Sequence, residues 1–286
     1  MSPHHPRTLI TAADLAALLN GGPSSGHDVL VLDCRFSLPA PEAGQQAYAQ
    51  GHVPGAVYAH LDTDLSGPKT GRNGRHPLPA PGAFLATLRR WGLQDSTEVI
   101  AYDDAGGMFA SRAWWMLRWM GHPAVRVLDG GWAAWLAQGG AVGTEAPSRA
   151  PSTVQLAPHD EHLTRIDFVQ TNLGNRDTMQ LVDARAPDRF RGENETLDPV
   201  GGHIPGAINR FFQLNLGADG RFKPAPLLRD EFTALLGSQP AGTVVHQCGS
   251  GVTACHNLLA MTHAGLEGSK LYAGSWSEWC ADQERL

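Results

Sequence analysis

The chain has 286 residues, 42% of them hydrophobic and 17% charged, with a formal net charge of −6. That acidic balance argues against a nucleic-acid or anionic-membrane partner, and no apolar run approaches the ~18 residues of a bilayer span. The length suits two domains with a core each, and four cysteines without a CxxC pair fit a reducing cytoplasm with no cofactor or metal expected.

The first seven residues lack the apolar core of a secretory signal, and Thr11-Ala12-Ala13-Asp14 reads as a capped helix start. Hydrophobic periodicity predicts a helix over 11–19, a strand over 29–32, a helix over 81–91 and a strand over 99–102. A helix over 112–120, a strand over 125–128 and a helix over 132–138 complete the first half. Residues 139–160, rich in Gly, Pro, Ser and Ala, read as a linker.

The second half repeats the first. Leu30-Val31-Leu32-Asp33-Cys34-Arg35 is echoed by Leu181-Val182-Asp183-Ala184-Arg185. Gly51-His52-Val53-Pro54-Gly55-Ala56 returns as Gly202-His203-Ile204-Pro205-Gly206-Ala207, and Gly130-Gly131-Trp132 as Gly274-Ser275-Trp276. Matches in the same order, so far apart, indicate a duplicated domain rather than a short-period array. The alternation of strands and helices predicts an α/β fold, each half a central, mainly parallel sheet flanked by helices. The expected division is 1–140, a linker over 141–160, and 161–286.

Chemistry centres on the stretch from Thr243 to His256, which reads as strand, tight loop and helix, with Cys248 at the strand's end and Gly249 and Gly251 in the loop. Glycines let main-chain N–H groups turn inward, and the helix adds its positive end. A free thiol titrates near ~8.5, so holding sulfur as an anion at neutral pH takes roughly 2.7 kcal/mol. A helix N-terminus gives about 0.5–2 kcal/mol and a hydrogen bond to a charged acceptor about 1.5–3 kcal/mol, so two or three amides suffice. In the first half Asp103 stands at the matching place. A carboxylate carries no sulfur, so that half is expected to be catalytically inactive and to wall the cleft.

These residues together resemble the tandem-domain rhodanese family, especially its 3-mercaptopyruvate and thiosulfate sulfurtransferases. The resemblance rests on Cys248-Gly249-Ser250-Gly251-Val252-Thr253-Ala254, the two Gly-His boxes, Asp183-Ala184-Arg185 and Gly274-Ser275-Trp276-Ser277-Glu278-Trp279. It implies an active site between the halves, where Cys248 takes a sulfane sulfur as a persulfide and passes it to cyanide or a thiol, thioredoxin included. It also implies catalytic roles for Ser250, His76 and Asp62. Donor binding falls to Arg189 and to the loop residues Gly249, Gly251, Val252 and Thr253. The Gly-His boxes read as architectural.

Gly249 and Ser250 are uncharged where members dedicated to thiosulfate tend to carry Arg and Lys, and a hydroxyl suits a carbonyl that becomes an enolate. The expected donor is therefore 3-mercaptopyruvate, with thiosulfate as the alternative. One departure stands out: a second substrate arginine is missing from Glu195-Thr196-Leu197-Asp198-Pro199-Val200. A replacement cation could come from the loop Lys69 to Arg75, which otherwise reads as a solvated turn. A non-catalytic sulfur-relay module is the alternative of another class. A phosphatase is disfavoured because Ala254, not arginine, lies six positions after Cys248.

Overall fold

The computed structural model describes residues 8–21 and 28–286, so the first seven residues, read above as lacking a signal core, lie outside it. Two five-stranded sheets form, and every neighbouring pair of strands is parallel. The first holds β1 (Leu9–Ile10), β2 (Val29–Asp33), β3 (Val57–Tyr58), β4 (Glu98–Tyr102) and β5 (Val125–Leu128), in the order β1-β5-β4-β2-β3. The second holds β6 (Leu163–Thr164), β7 (Gln180–Asp183), β8 (Ile208–Asn209), β9 (Val244–Gln247) and β10 (Lys270–Tyr272), in the order β6-β10-β9-β7-β8. The orders correspond strand for strand, so the repeat legible in the sequence is a repeat of topology.

The helices of the first half are α1 (Ala12–Asn20), α2 (Ala43–Gln50), α3 (Pro81–Arg90), α4 (Ala110–Trp119) and α5 (Gly131–Ala137). Those of the second are α6 (Ile166–Thr171), α7 (Pro187–Phe190), α8 (Ala225–Leu236), α9 (Thr253–His263) and α10 (Ser275–Trp279). Thr11 caps α1 by accepting the Asp14 N–H at 3.1 Å. Helices α4 and α9 pack on each other across the boundary between the halves. Both are buried almost all round, as interior helices are. One apolar cluster therefore runs from Trp114 and Trp115 of the first half into Leu258 and Leu259 of the second. Burying each such side chain contributes about 1.5–3 kcal/mol, which fixes the two sheets as one body.

Residues 139–159 carry no helix or strand, yet they lie along the first half. His52 bridges to Gly143, Arg149 bonds the Val29 carbonyl and Asp28, and Val154 is buried. The composition suggested a linker; the contacts make the segment a strap.

Candidate active site

Each half places a residue at the carboxyl end of its middle strand, where ligands of open parallel sheets gather. After β4 this is Asp103, whose two carboxylate oxygens accept N–H groups from Ala105 (2.9 Å), Gly107 (2.8 Å), Phe109 (2.7 Å) and Ala110 (2.8 Å). Burial pushes this carboxyl upward while the four amides pull against it. The first-half loop is thus a ring of amides closed around its own anion. After β9 the corresponding residue is Cys248, which brings no carboxylate to fill such a ring.

The second loop follows the same path. Cys255 Sγ donates to the Gly251 carbonyl at 3.3 Å as Ser111 Oγ donates to that of Gly107 at 2.6 Å, and both glycines have positive φ. A Cβ at Gly251 would fall 2.4 Å from the Ala273 carbonyl oxygen, so only glycine fits. Cys248 itself is clamped at both ends. Its N–H donates to Ser275 Oγ (3.0 Å) and its carbonyl accepts the Trp276 N–H (3.0 Å). Ser275 holds φ of 55°, the same left-handed value as glycine at the matching Gly131.

Cys248 lines a cavity of about 220 Å³ between the halves, together with Arg75, His76, Arg189, Ser250 and Phe212. It is buried at the cavity wall rather than standing at a rim. Ser250 Oγ lies 2.7 Å from Nδ1 of His76, and His76 Nε2 lies 3.5 Å from Asp62 Oδ1. Asp62 is also 3.3 Å from Lys69 Nζ and stands behind His76, outside the cavity lining. Burial first, and the charge of Arg112 second, pull His76 down to about 3, so the imidazole is neutral at neutral pH. With its proton on Nε2, toward Asp62, Nδ1 accepts the Ser250 hydroxyl. Gly249, Val252 and Thr253 line the cavity, but Gly251 does not: the sequence placed it with the donor-binding residues, whereas its work is the turn.

Arg189 also lines the cavity. Its guanidinium pairs with Glu195 (2.8 Å) and lies 3.6 Å from Asp198, only its main-chain N–H reaches Asp188, and Glu193 is taken by Arg191. Burial acts to raise the Glu195 carboxyl, but the Leu197 N–H and Arg189 hold it below the usual range. Arg75, read from sequence as part of a solvated turn, instead reaches across the boundary and pairs with the buried Asp198. Asp198 stands in the segment where the second arginine was missing. Both guanidiniums converge on Gly249: a Cβ there would lie 2.8 Å from Arg75 Nη2 and 3.6 Å from Arg189 Nη2. The two Gly-His boxes are architectural, His52 Nδ1 meeting the Tyr48 carbonyl and His203 Nδ1 that of Phe190. Among the described residues one group could hold a metal ion, the surface trio His159, Glu161 and His162, which shares no residue with the cavity.

Comparison with known proteins bears on this arrangement. The model of the rhodanese-like domain matches residues 11–138 and again 167–282. The chain belongs to the rhodanese-like family. A Pseudomonas aeruginosa protein named "Probable 3-mercaptopyruvate sulfurtransferase" is 49% identical over 97% of this chain and 96% of its own length. The thiosulfate sulfurtransferase of Rattus norvegicus is 33% identical over 96% of this chain and 92% of its own. Among solved structures, 3-mercaptopyruvate sulfurtransferase from Leishmania major superimposes with a TM-score of 0.84 at 30% identity, covering 98% of this chain and 75% of that one.

Two residues of this rhodanese-like site escaped sequence reading. Ser275 left a signal, since the repeat offers glycine at the matching Gly131. Arg112 left a weaker one, a lone charge between Phe109 and Trp114 in a mostly apolar helix whose other charge, Arg118, sits in the last turn.

Proposed function

We propose that this chain is a sulfurtransferase that moves a sulfane sulfur from 3-mercaptopyruvate, through a persulfide on Cys248, to cyanide or a thiol. The observation that carries this reading is the line Asp62, His76, Ser250, assembled from both halves at the cavity that Cys248 lines.

The Cys248 thiolate attacks the donor's sulfur, forming an S–S bond while the C–S bond breaks. Its electron pair passes into the adjacent carbonyl as an enolate, and the proton of the donor thiol ends on the enolate carbon to give pyruvate. Ser250, held by neutral His76, donates to the developing oxyanion and relays the proton. Loop amides carry the negative outer sulfur, as their first-half counterparts carry the Asp103 carboxylate. The acceptor then attacks that outer sulfur, and the Cys248 thiolate leaves.

Arg75 and Arg189 receive the donor's carboxylate. Each already shares its charge with a carboxylate, Asp198 or Glu195, which suits a monoanionic head better than the thiosulfate dianion. The convergence of two guanidiniums on Gly249 is what favours thiosulfate as the second reading. Steady-state kcat/KM for the two donors side by side decides: the account expects mercaptopyruvate to lead by at least tenfold, and the reverse order reassigns the donor.

In this reading 161–286 is the catalytic unit, tethered by 141–160 to an inactive unit over 1–140. The setting is the cytoplasm, with thioredoxin among the thiol acceptors and neither nucleic acid nor membrane as a partner. Among the described residues no helix is long and apolar enough to cross a membrane.

A further inference from the structure

Among the described residues four arginines are buried, namely Arg35, Arg112, Arg185 and Arg210. Three face a carboxylate: Asp33, Asp183 and Glu231 respectively. Arg112 faces none among the described residues, and the ionisable groups that act on it are the thiols of Cys255 and Cys248. A guanidinium taken wholly out of water without a counter-anion is costly. Its hydrogen bonds go to main-chain carbonyls at the site. Nη1 donates to Gly251 (3.1 Å), and Nη2 to His76 (3.1 Å) and Leu65 (3.3 Å), while Nε has no partner. One side chain of the first half thus grips both the cysteine loop and the histidine that holds Ser250.

The repeat sharpens the point. With Ser111 matching Cys255, Arg112 matches His256, whose Nε2 reaches across in the other direction to the Gly106 carbonyl (3.0 Å) of the inactive loop. The contacts are exchanged between the halves, but the charges are not. Burial pulls His256 down to about 4, so a neutral ring faces the loop that already contains an anion, Asp103. The cation faces the loop whose anion appears only on sulfur. Burial pushes Cys255 up to about 12, so it stays a thiol, which leaves Cys248 to balance the charge. Pinning the Gly251 carbonyl also fixes its peptide unit, and in a trans peptide the Val252 N–H then points the opposite way.

We propose that Arg112 is the electrostatic positioning residue of the site: it pins the Gly251 and His76 carbonyls from the first half and is the counter-charge for Cys248 as thiolate and as persulfide. The persulfide part rests on the sulfur-transfer reading; the thiolate part does not.

The test is the rate of Cys248 alkylation by iodoacetamide at neutral pH, followed by mass, in wild type, Arg112→Lys and Arg112→Gln. Gln keeps donors without charge, so it should react about tenfold more slowly, the factor of ~1.4 kcal/mol, whereas Lys should stay within about threefold of wild type. A Gln variant as fast as wild type, or a Lys variant as slow as Gln, overturns the proposal.

Should Arg112→Gln fail to fold, wild type decides alone. After treatment with mercaptopyruvate, with one added sulfur confirmed by mass, its unfolding midpoint should rise by about 3 °C or more, since the persulfide, a stronger acid than the thiol, completes the anion that offsets the buried cation. A loaded protein that melts where the unloaded one does overturns the proposal. If no sulfur is taken up, it is the sulfur-transfer reading that fails, and the reactivity of Cys248 in Arg112→Lys then decides: an alkylation rate within threefold of wild type supports the counter-charge, and a tenfold drop overturns it.

Discussion

Ser250 and His76 are 174 positions apart in sequence and 2.7 Å apart in the fold. Ser250→Ala should lower mercaptopyruvate turnover by about 10²-fold, the usual weight of a proton-handling group, and thiosulfate turnover far less. Equal losses with both donors would take the hydroxyl out of the mechanism. Arg75→Ala should raise the mercaptopyruvate KM by roughly tenfold with little change in kcat, as expected for a charge-assisted anchor. An unchanged KM would reduce Arg75 to a tie for Asp198. At this scale the sequence carried far: the loop motif and its resemblance named Cys248, Ser250, His76, Asp62 and Arg189, and the structure puts four of them on one cavity with Asp62 behind His76. What stayed hidden was pairing across distance. Arg75 and Asp198 are 123 positions apart, and nothing in either local stretch announces that they meet.

The strand-loop-helix element works because a neighbour, Ser275, holds its shape. Ser275 keeps a left-handed backbone, which costs a non-glycine residue roughly 1–2 kcal/mol, and in return supplies the acceptor for the buried Cys248 N–H. Ser275→Ala should lose about 1–3 kcal/mol in urea unfolding by orphaning that N–H. Ser275→Gly should lose less, because the backbone strain is relieved; the opposite ranking would contradict this account. Asp103→Ala leaves four loop N–H groups without their carboxylate, so stability should drop by several kcal/mol. Activity per folded molecule should survive, because Asp103 belongs to the inactive loop. The longer elements of the first half, α2 apart, were legible from periodicity to within a residue or two. The two-residue strands β1, β3, β6 and β8 were not, being too short to alternate. Nor was α2, which buries little besides Gly44; a Cβ there would fall 1.9 Å from the Arg35 carbonyl oxygen.

At the scale of the whole molecule, burial holds His76 at about 3, His246 at about 3 and His256 at about 4. Unfolded, each takes a proton near ~6.5. Their contribution is complete above that value and is lost as the pH falls from about 6.5 toward 4, by at most about 1.4 kcal/mol per pH unit for each histidine. The raised carboxyls of Asp103, Asp129, Asp198 and Glu278 act in the opposite direction and temper the slope. Urea midpoints measured from pH 8 down to 5 should be level and then decline below about 6.5, and a flat profile would show that the histidines do not govern acid stability. The duplication was plain from the sequence, but not that the halves share one apolar core through α4 and α9, because periodicity shows that a face is apolar and not what covers it. The claim on which the rest depends is that Cys248 itself carries the sulfur, and intact mass after incubation with mercaptopyruvate tests it most directly. Wild type should gain one sulfur atom, return to its starting mass on adding cyanide, and show no gain as Cys248→Ser. A wild type that stays unmodified, or a Cys248→Ser variant that still takes up sulfur, would contradict it.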